Sequence, residues 1–127
     1  MSGLLLDSHV VLWLLDDSSR LGRGARDRIA ASTAVYFSAA SMWELTIKAA
    51  IGKLALPHDL DDATDRSALR DLPVTRRHAL VSDLTALPHK DPFDAILVAQ
   101  ATVEGLAFLT ADAKLVRALP DVVDARL

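Results

Sequence analysis

Four acids stand where an α/β chain can bring them together. Asp7 follows the apolar run Leu4-Leu5-Leu6, and Glu44 lies at the head of a helical pattern, three residues after Ser41. Asp94 lies at the head of another helical pattern, three residues after Asp91, and Asp112 follows the apolar run 106–109. In an open α/β sheet the crevice outside the carboxyl ends of the strands is where ligands collect, so the four can share one point. Converging carboxylates repel one another strongly unless a cation holds them. The chain has no cysteine, and the convergent positions are acids and not imidazoles. The ligands are therefore hard oxygens and the ion is Mg²⁺ or Mn²⁺. Such an ion keeps open positions for water and phosphate oxygens, which makes a phosphodiester the natural substrate and hydrolysis the fitting chemistry.

Each acid taken singly also has a purely structural explanation. Ser41-Met42-Trp43-Glu44 matches a capping box, with Glu44 reaching back to the amide of Ser41. Asp91-Pro92-Phe93-Asp94 reads as an N-cap, a proline at the first helical position and a further acid favoured by the helix dipole. Asp7 and Asp112 can be caps as well. Caps do not require carboxylates, however, because Ser, Thr and Asn serve equally, and it is the recurrence of acids that favours a site.

The elements that must position these acids alternate between short apolar runs and helical patterns, as in a parallel sheet with helical crossovers. Strands are expected at Leu4–Leu6, 34–37 and 106–109, with a short extended piece at 72–74 and a weak last strand at 122–123. Helices are expected over 10–15, 24–32, 41–53, 59–70, 75–84, 92–104 and 113–118, with Gly105 as the stop after the sixth. At 127 residues with 51% hydrophobic composition, the chain is expected to form one domain spanning 1–127. No stretch reaches the ~18 apolar residues of a membrane span. The first residues lack a basic region and Asp7 interrupts the apolar run, so a cytoplasmic location is expected.

The acids are lopsided, fifteen Asp against two Glu, and the formal net charge is -3. That balance excludes a nucleic-acid binder held by bulk positive charge but leaves room for a local basic patch. Arg20, Arg23, Arg26 and Arg28, interleaved with Gly22 and Gly24, form the densest basic stretch and the first candidates for phosphate contact. Arg76-Arg77-His78 and His89-Lys90 are secondary candidates. Trp13 and Trp43 are expected in the core, with base stacking or a groove for a partner segment as their functional alternative. His9 ranks low as a general base, because a metal site needs none.

Taken together, Leu4-Leu5-Leu6-Asp7-Ser8-His9, Ser41-Met42-Trp43-Glu44, His89-Lys90-Asp91-Pro92-Phe93-Asp94 with Ala95-Ile96-Leu97-Val98-Ala99-Gln100-Ala101, and Leu109-Thr110-Ala111-Asp112 resemble the PIN-domain ribonucleases, and within them the VapC-type toxins of bacterial toxin/antitoxin pairs. The resemblance covers essentially the whole chain. It implies a single PIN-like α/β domain with a central parallel sheet of four or five strands flanked by helices, usually as a homodimer. It implies a Mg²⁺-dependent (or Mn²⁺-dependent) endoribonuclease silenced by a cognate antitoxin. By position, Asp7, Glu44, Asp94 and Asp112 match the family's metal-site acids, Asp91 an auxiliary acid and Thr110 a small hydroxyl that helps at the site. Two departures bear on substrate preference: Ala95 stands where many relatives have Arg, and Lys114-Leu115 where an aromatic follows the last acid. Two other readings remain, a Mg²⁺-binding phospho-acceptor regulatory domain and a non-catalytic member that binds RNA or a partner without cutting.

Overall fold

A computed structural model describes residues 3–127. Five strands, β1 (Leu4–Leu6), β2 (Val35–Ser38), β3 (Arg70–Leu72), β4 (Ala107–Thr110) and β5 (Val123–Asp124), form one sheet in the order β3-β2-β1-β4-β5. Every pairing is parallel, with Leu4 opposite both Val35 and Ala107. The helices are α1 (Ser8–Leu15), α2 (Arg23–Ala31), α3 (Ala39–Ala50), α4 (Leu60–Arg66), α5 (Arg76–Val81), α6 (Pro92–Glu104) and α7 (Ala113–Ala118). No helix among the described residues is long and apolar enough to cross a membrane.

Because β1 is central and covered on both faces, all its residues are leucine and all are buried. Alternation divides them. Leu4 and Leu6 pack with Val10, Val11, Phe37, Leu45 and Leu109 on one face. Leu5 packs with Leu97, Phe108 and Leu115 on the other. Parallel strands joined by helices put all five carboxyl ends on one side of the molecule, which is what lets residues 7, 112 and the heads of α3 and α6 meet.

Several boundaries differ from the sequence expectation. Strand β2 runs into α3 without a loop: Ser38 ends the strand and is also the N-cap, its hydroxyl accepting from the Ala40 amide at 3.0 Å. The helix therefore starts at Ala39 and not at 41, which removes the capping box expected at Ser41 and moves Glu44 to the second turn. The expected helix over 59–70 stops at Arg66, and β3 takes Arg70–Leu72 in place of 72–74. The expected helix over 75–84 is cut to Arg76–Val81, followed by a 3₁₀ turn at Leu84–Ala86. At α6 the expectation holds in detail: Asp91 caps, Pro92 opens, and Gly105 closes in the left-handed region at φ 66°.

Trp43 is a correction. The buried face of α3 carries Ala40, Ser41, Glu44 and Leu45, so position 43 points away from the core and Trp43 is 64% exposed. Trp13 is partly buried against the core, as expected.

Candidate metal centre

Asp7 sits between the end of β1 and the start of α1. It is the N-cap of α1, with Oδ1 accepting from the Ser8 amide at 2.7 Å. Its Oδ2 accepts from the Thr110 hydroxyl at 2.6 Å, across the β1–β4 pair. The Thr110 oxygen in turn accepts from the Asp112 amide at 3.1 Å. Thr110 thus ties together the two strand-end acids. Asp112 caps α7 through Oδ1, which accepts from the amides of Lys114 and Leu115.

On the other side, Ser8 donates its hydroxyl to Glu44 Oε1 at 2.6 Å, and Lys48, one turn along α3, meets Glu44 Oε2 at 2.9 Å. Asp91 caps α6 by accepting from the Phe93 amide at 2.8 Å, which orients the turn that carries Asp94. Asp94 Oδ2 and Asp112 Oδ2 converge on one atom, Nε2 of His89, at 3.2 and 2.8 Å. Asp7, Asp91 and Asp112 are therefore also caps and Asp94 a helix-head residue, as their local sequence suggests, whereas Glu44 stands in the second turn of α3.

Glu44, Asp94 and Asp7 are 5, 7 and 9% exposed, a burial at which a carboxylate needs a partner charge or a proton. Burial pushes Asp94 upward, and the charges of Asp7, Asp91, Glu44 and Asp112 push it further, to about 8. Burial likewise raises Asp7, against the opposing bonds from Thr110 and Ser8. Asp112 moves the other way: burial raises it, but the His89 bond and the two amides outweigh that and hold it below the ordinary range. Burial lowers Lys48, yet its bond to Glu44, with the charges of Glu44, Asp91 and Asp7, leaves it raised. Asp94 thus feels the other four acids named from the sequence, and Asp7 feels Glu44. Lys48 and His89 are the bases in contact with them.

The tightest group, with ligand atoms all within 4.8 Å of one another, is His89, Asp94 and Asp112. His89, expected only as a secondary basic candidate, stands at the centre, and Ser8 and Lys48 are contacts that the spacing of the acids does not single out. A histidine two residues before Asp91 was the available signal. Lys48, four residues after Glu44, also had one in the helical i, i+4 spacing.

The four arginines do not gather. Helix α2 begins beside residues 125–127, past the carboxyl end of β5, where Gly22 and Gly24 donate their amides to Ala125 and Leu127. A Cβ at Gly22 would stand 2.2 Å from the Leu127 carbonyl carbon, so these glycines serve a close backbone approach. Arg20 and Arg23 are exposed on that side. Arg26 is committed to the 17–21 loop through Asp17, Ser18 and Leu21. Arg28 lines a cleft with Gly3 and Gly105, at the amino ends of the strands and on the far side from the acids.

Beside the centre, a cleft of about 600 Å³ is lined almost wholly by apolar groups, among them Ala40, Trp43, Val74, Phe93 and Ile96. Trp43 and Phe93 meet edge to face, with centroids 5.7 Å apart and planes at 72°. Each precedes a site acid in the chain.

A family model described as the PIN domain matches residues 4–119. Among solved structures, the chain is similar to DNA-bound VapBC from Salmonella typhimurium, with 20% identity, TM-score 0.68, and 98% of this chain and 97% of that one covered. It is similar to a toxin-antitoxin complex from Klebsiella pneumoniae, with 18% identity, TM-score 0.64, and coverage of 96 and 97%. It is also similar to VapBC2 from Rickettsia felis bound to a promoter DNA fragment, with 12% identity, TM-score 0.64, and coverage of 95 and 96%. At such identities the likeness speaks for the fold. No curated protein matches the sequence significantly.

Proposed function

The chain belongs to the PIN-domain family, and from that premise we propose that it is a metal-dependent endoribonuclease, the toxin of a toxin/antitoxin pair, acting in the cytoplasm as a homodimer until a cognate antitoxin covers it. The observation that carries the reading is the carboxyl of Asp94, driven to about 8 by its burial and by Asp7, Asp91, Glu44 and Asp112 around it. A cluster that drives a carboxylate so far from its ordinary state, with Lys48 and His89 as the bases beside it, favours a cation.

The donor set fits such a cation: carboxylate oxygens, buried, with Lys48 and His89 as partial countercharge. Asp7, Glu44, Asp94 and Asp112 would hold it, with Asp91 and Thr110 in support, and the hard oxygens suit Mg²⁺ or Mn²⁺. When bound, the ion supplies Lewis-acid polarisation of a phosphodiester and a more acidic water. The protein's own work is positioning. Thr110 fixes the Asp7 carboxylate and the Asp112 backbone at once, and Ser8 and Lys48 fix both oxygens of Glu44. Helix α6 presents Asp94 from its first turn, where Asp91 has satisfied the amide of Phe93. Arg20 and Arg23, both exposed, remain the candidates among the four arginines for flanking phosphates. The similar solved structures are complexes of toxin with antitoxin, which supports an antitoxin as the partner of this chain.

A phospho-acceptor domain would need a lysine at the end of the last strand, where this chain has Asp124 bound to Arg126. Incubation with cellular RNA, with and without EDTA, tests the proposal, together with Asp7→Asn and Asp94→Asn. Cleavage that stops with EDTA and in both variants is expected. Undiminished cleavage in EDTA, or full activity in both variants, overturns it.

A further inference from the structure

We propose that His89 is itself a ligand of this centre, giving the ion one nitrogen among its oxygens and a preference for Mn²⁺ over Mg²⁺. The inference rests on the metal-dependent reading above and goes beyond it, since neither the four acids nor their spacing contains an imidazole.

The distances carry the argument. Around an octahedral ion with ligand bonds near 2.1 Å, neighbouring ligand atoms lie ~3.0 Å apart and opposite ones ~4.2 Å. His89 Nε2 stands 2.8 Å from Asp112 Oδ2 and 3.2 Å from Asp94 Oδ2, and the three ligand atoms fall within 4.8 Å of one another. The two distances from Nε2 are those of neighbouring ligand atoms in such a shell. The same atoms are also the least committed in the cluster. Both oxygens of Asp7 and both of Glu44 already take a hydrogen bond or ion pair from protein groups. Asp112 Oδ2 and Asp94 Oδ2 have His89 alone as the protein group recorded on them.

The imidazole is also held from one side only. Nδ1 of His89 is buried without a hydrogen-bond partner among the described residues, in contrast to a structural histidine whose two nitrogens are both fixed. The two carboxylates place the proton on Nε2 in the ion-free protein, and an ion on the Nε2 lone pair would send it to Nδ1, which no protein group among the described residues occupies. The loop reaches this placement through Lys90, which sits at φ 52° between His89 and the cap Asp91. A left-handed non-glycine residue there turns the chain back so that the imidazole faces the head of α6. Imidazole suits first-row transition ions, whereas Mg²⁺ takes oxygen almost exclusively, and this sets the preference.

The test uses the full-length chain stripped with EDTA and titrated calorimetrically with Mn²⁺ or Mg²⁺, beside His89→Ala, His89→Gln and Asp94→Asn, each checked for folding by circular dichroism. Mn²⁺ binding tighter than Mg²⁺, weakened roughly 10-fold or more by either His89 substitution while Mg²⁺ affinity changes less, is the expected pattern. Pulsed electron paramagnetic resonance of the Mn²⁺-loaded protein is expected to show ¹⁴N modulation that disappears in His89→Ala. Absence of that modulation in the unsubstituted protein overturns the proposal, as does unchanged or tighter Mn²⁺ binding in His89→Ala, which would make the imidazole a stand-in that the ion displaces. Failure of the unsubstituted protein to bind either ion overturns the metal-dependent reading as well. Loss of binding in Asp94→Asn alone overturns only the role of His89.

Discussion

The two ends of helix α6 are each met by a histidine on a carboxylate, and they are built to opposite ends. At the carboxyl end His78 is 1% exposed, its Nδ1 accepts from the Thr75 amide at 3.0 Å, and its Nε2 meets Glu104 at 2.7 Å. Because Nδ1 accepts, Nε2 is the donor to Glu104, and the ring leaves nothing unsatisfied. At the amino end His89 has one nitrogen shared by two acids and the other unpartnered. The helix dipole would order the two ends the other way, favouring an anion at Asp94 and disfavouring one at Glu104, but its ~0.3–1 kcal/mol is small beside burial and several nearby carboxylates. A saturated pair holds the fold, and an unsaturated cluster waits for a ligand.

The largest expected effect separates the ends by function. Asp94→Asn is expected to reduce RNA cleavage by roughly 100-fold or more, while the metal-free protein unfolds at a temperature no lower than before. A drop in both would make Asp94 a fold residue and erase the contrast. Next, His78→Ala removes a buried ring that caps α5 and anchors α6, and its expected cost is about 3 kcal/mol in urea unfolding. Cleavage per folded molecule is expected to stay unchanged, and loss of it in proportion larger than the unfolded fraction would tie that end to the site.

A smaller effect is a pH dependence confined to the amino end. With Asp94 raised to about 8 by burial and its acidic neighbours, the folded protein binds a proton that the unfolded chain releases near 4. Stability of the metal-free protein is therefore greatest at low pH within this window and is lost as pH rises toward and through 8. Asp7, raised by burial, acts in the same sense. Thermal unfolding in EDTA is expected to fall by roughly 10 °C, or ~2–3 kcal/mol, between pH 6 and 9, and the fall is expected to shrink in Asp94→Asn. A flat profile in the unsubstituted protein contradicts the crowded-carboxylate account. The smallest effect belongs to Glu104→Gln, where a half-exposed partner is exchanged for an amide that still accepts from His78. A change under ~1 kcal/mol in the urea midpoint, with unaltered cleavage, is expected.

What could be read from sequence was the part fixed by strand ends and helix heads. Asp7 and Asp112 follow apolar runs short enough to be parallel strands, and Asp91-Pro92 with Gly105 frames α6 by local chemistry alone. What could not be read was phase. Which face of α3 turns inward is set by the packing of Ala40, Ser41 and Leu45, which exposes Trp43 and keeps Glu44 inward without a capping box. The arginine stretch divides for a similar reason: its glycines answer the backbone at 125–127, and α2 carries Arg28 to the far end of the sheet. His89 lies in a loop, where periodicity is silent.

The bond between Asp7 and Thr110 spans 103 positions of chain. At synthesis rates of 5–20 residues per second, Asp7 leaves the ribosome ~5–20 s before its partner does. In that interval β1 has β2 to pair with but no β4, and non-local parallel pairing is slow even once both strands exist. A chain cut short before β4 would carry Asp7, Glu44 and Asp94 with no Thr110 or Asp112 to align them. The contacts that tie Asp7 to Thr110 and Asp112 are therefore complete only once β4 and the residues after it have been made.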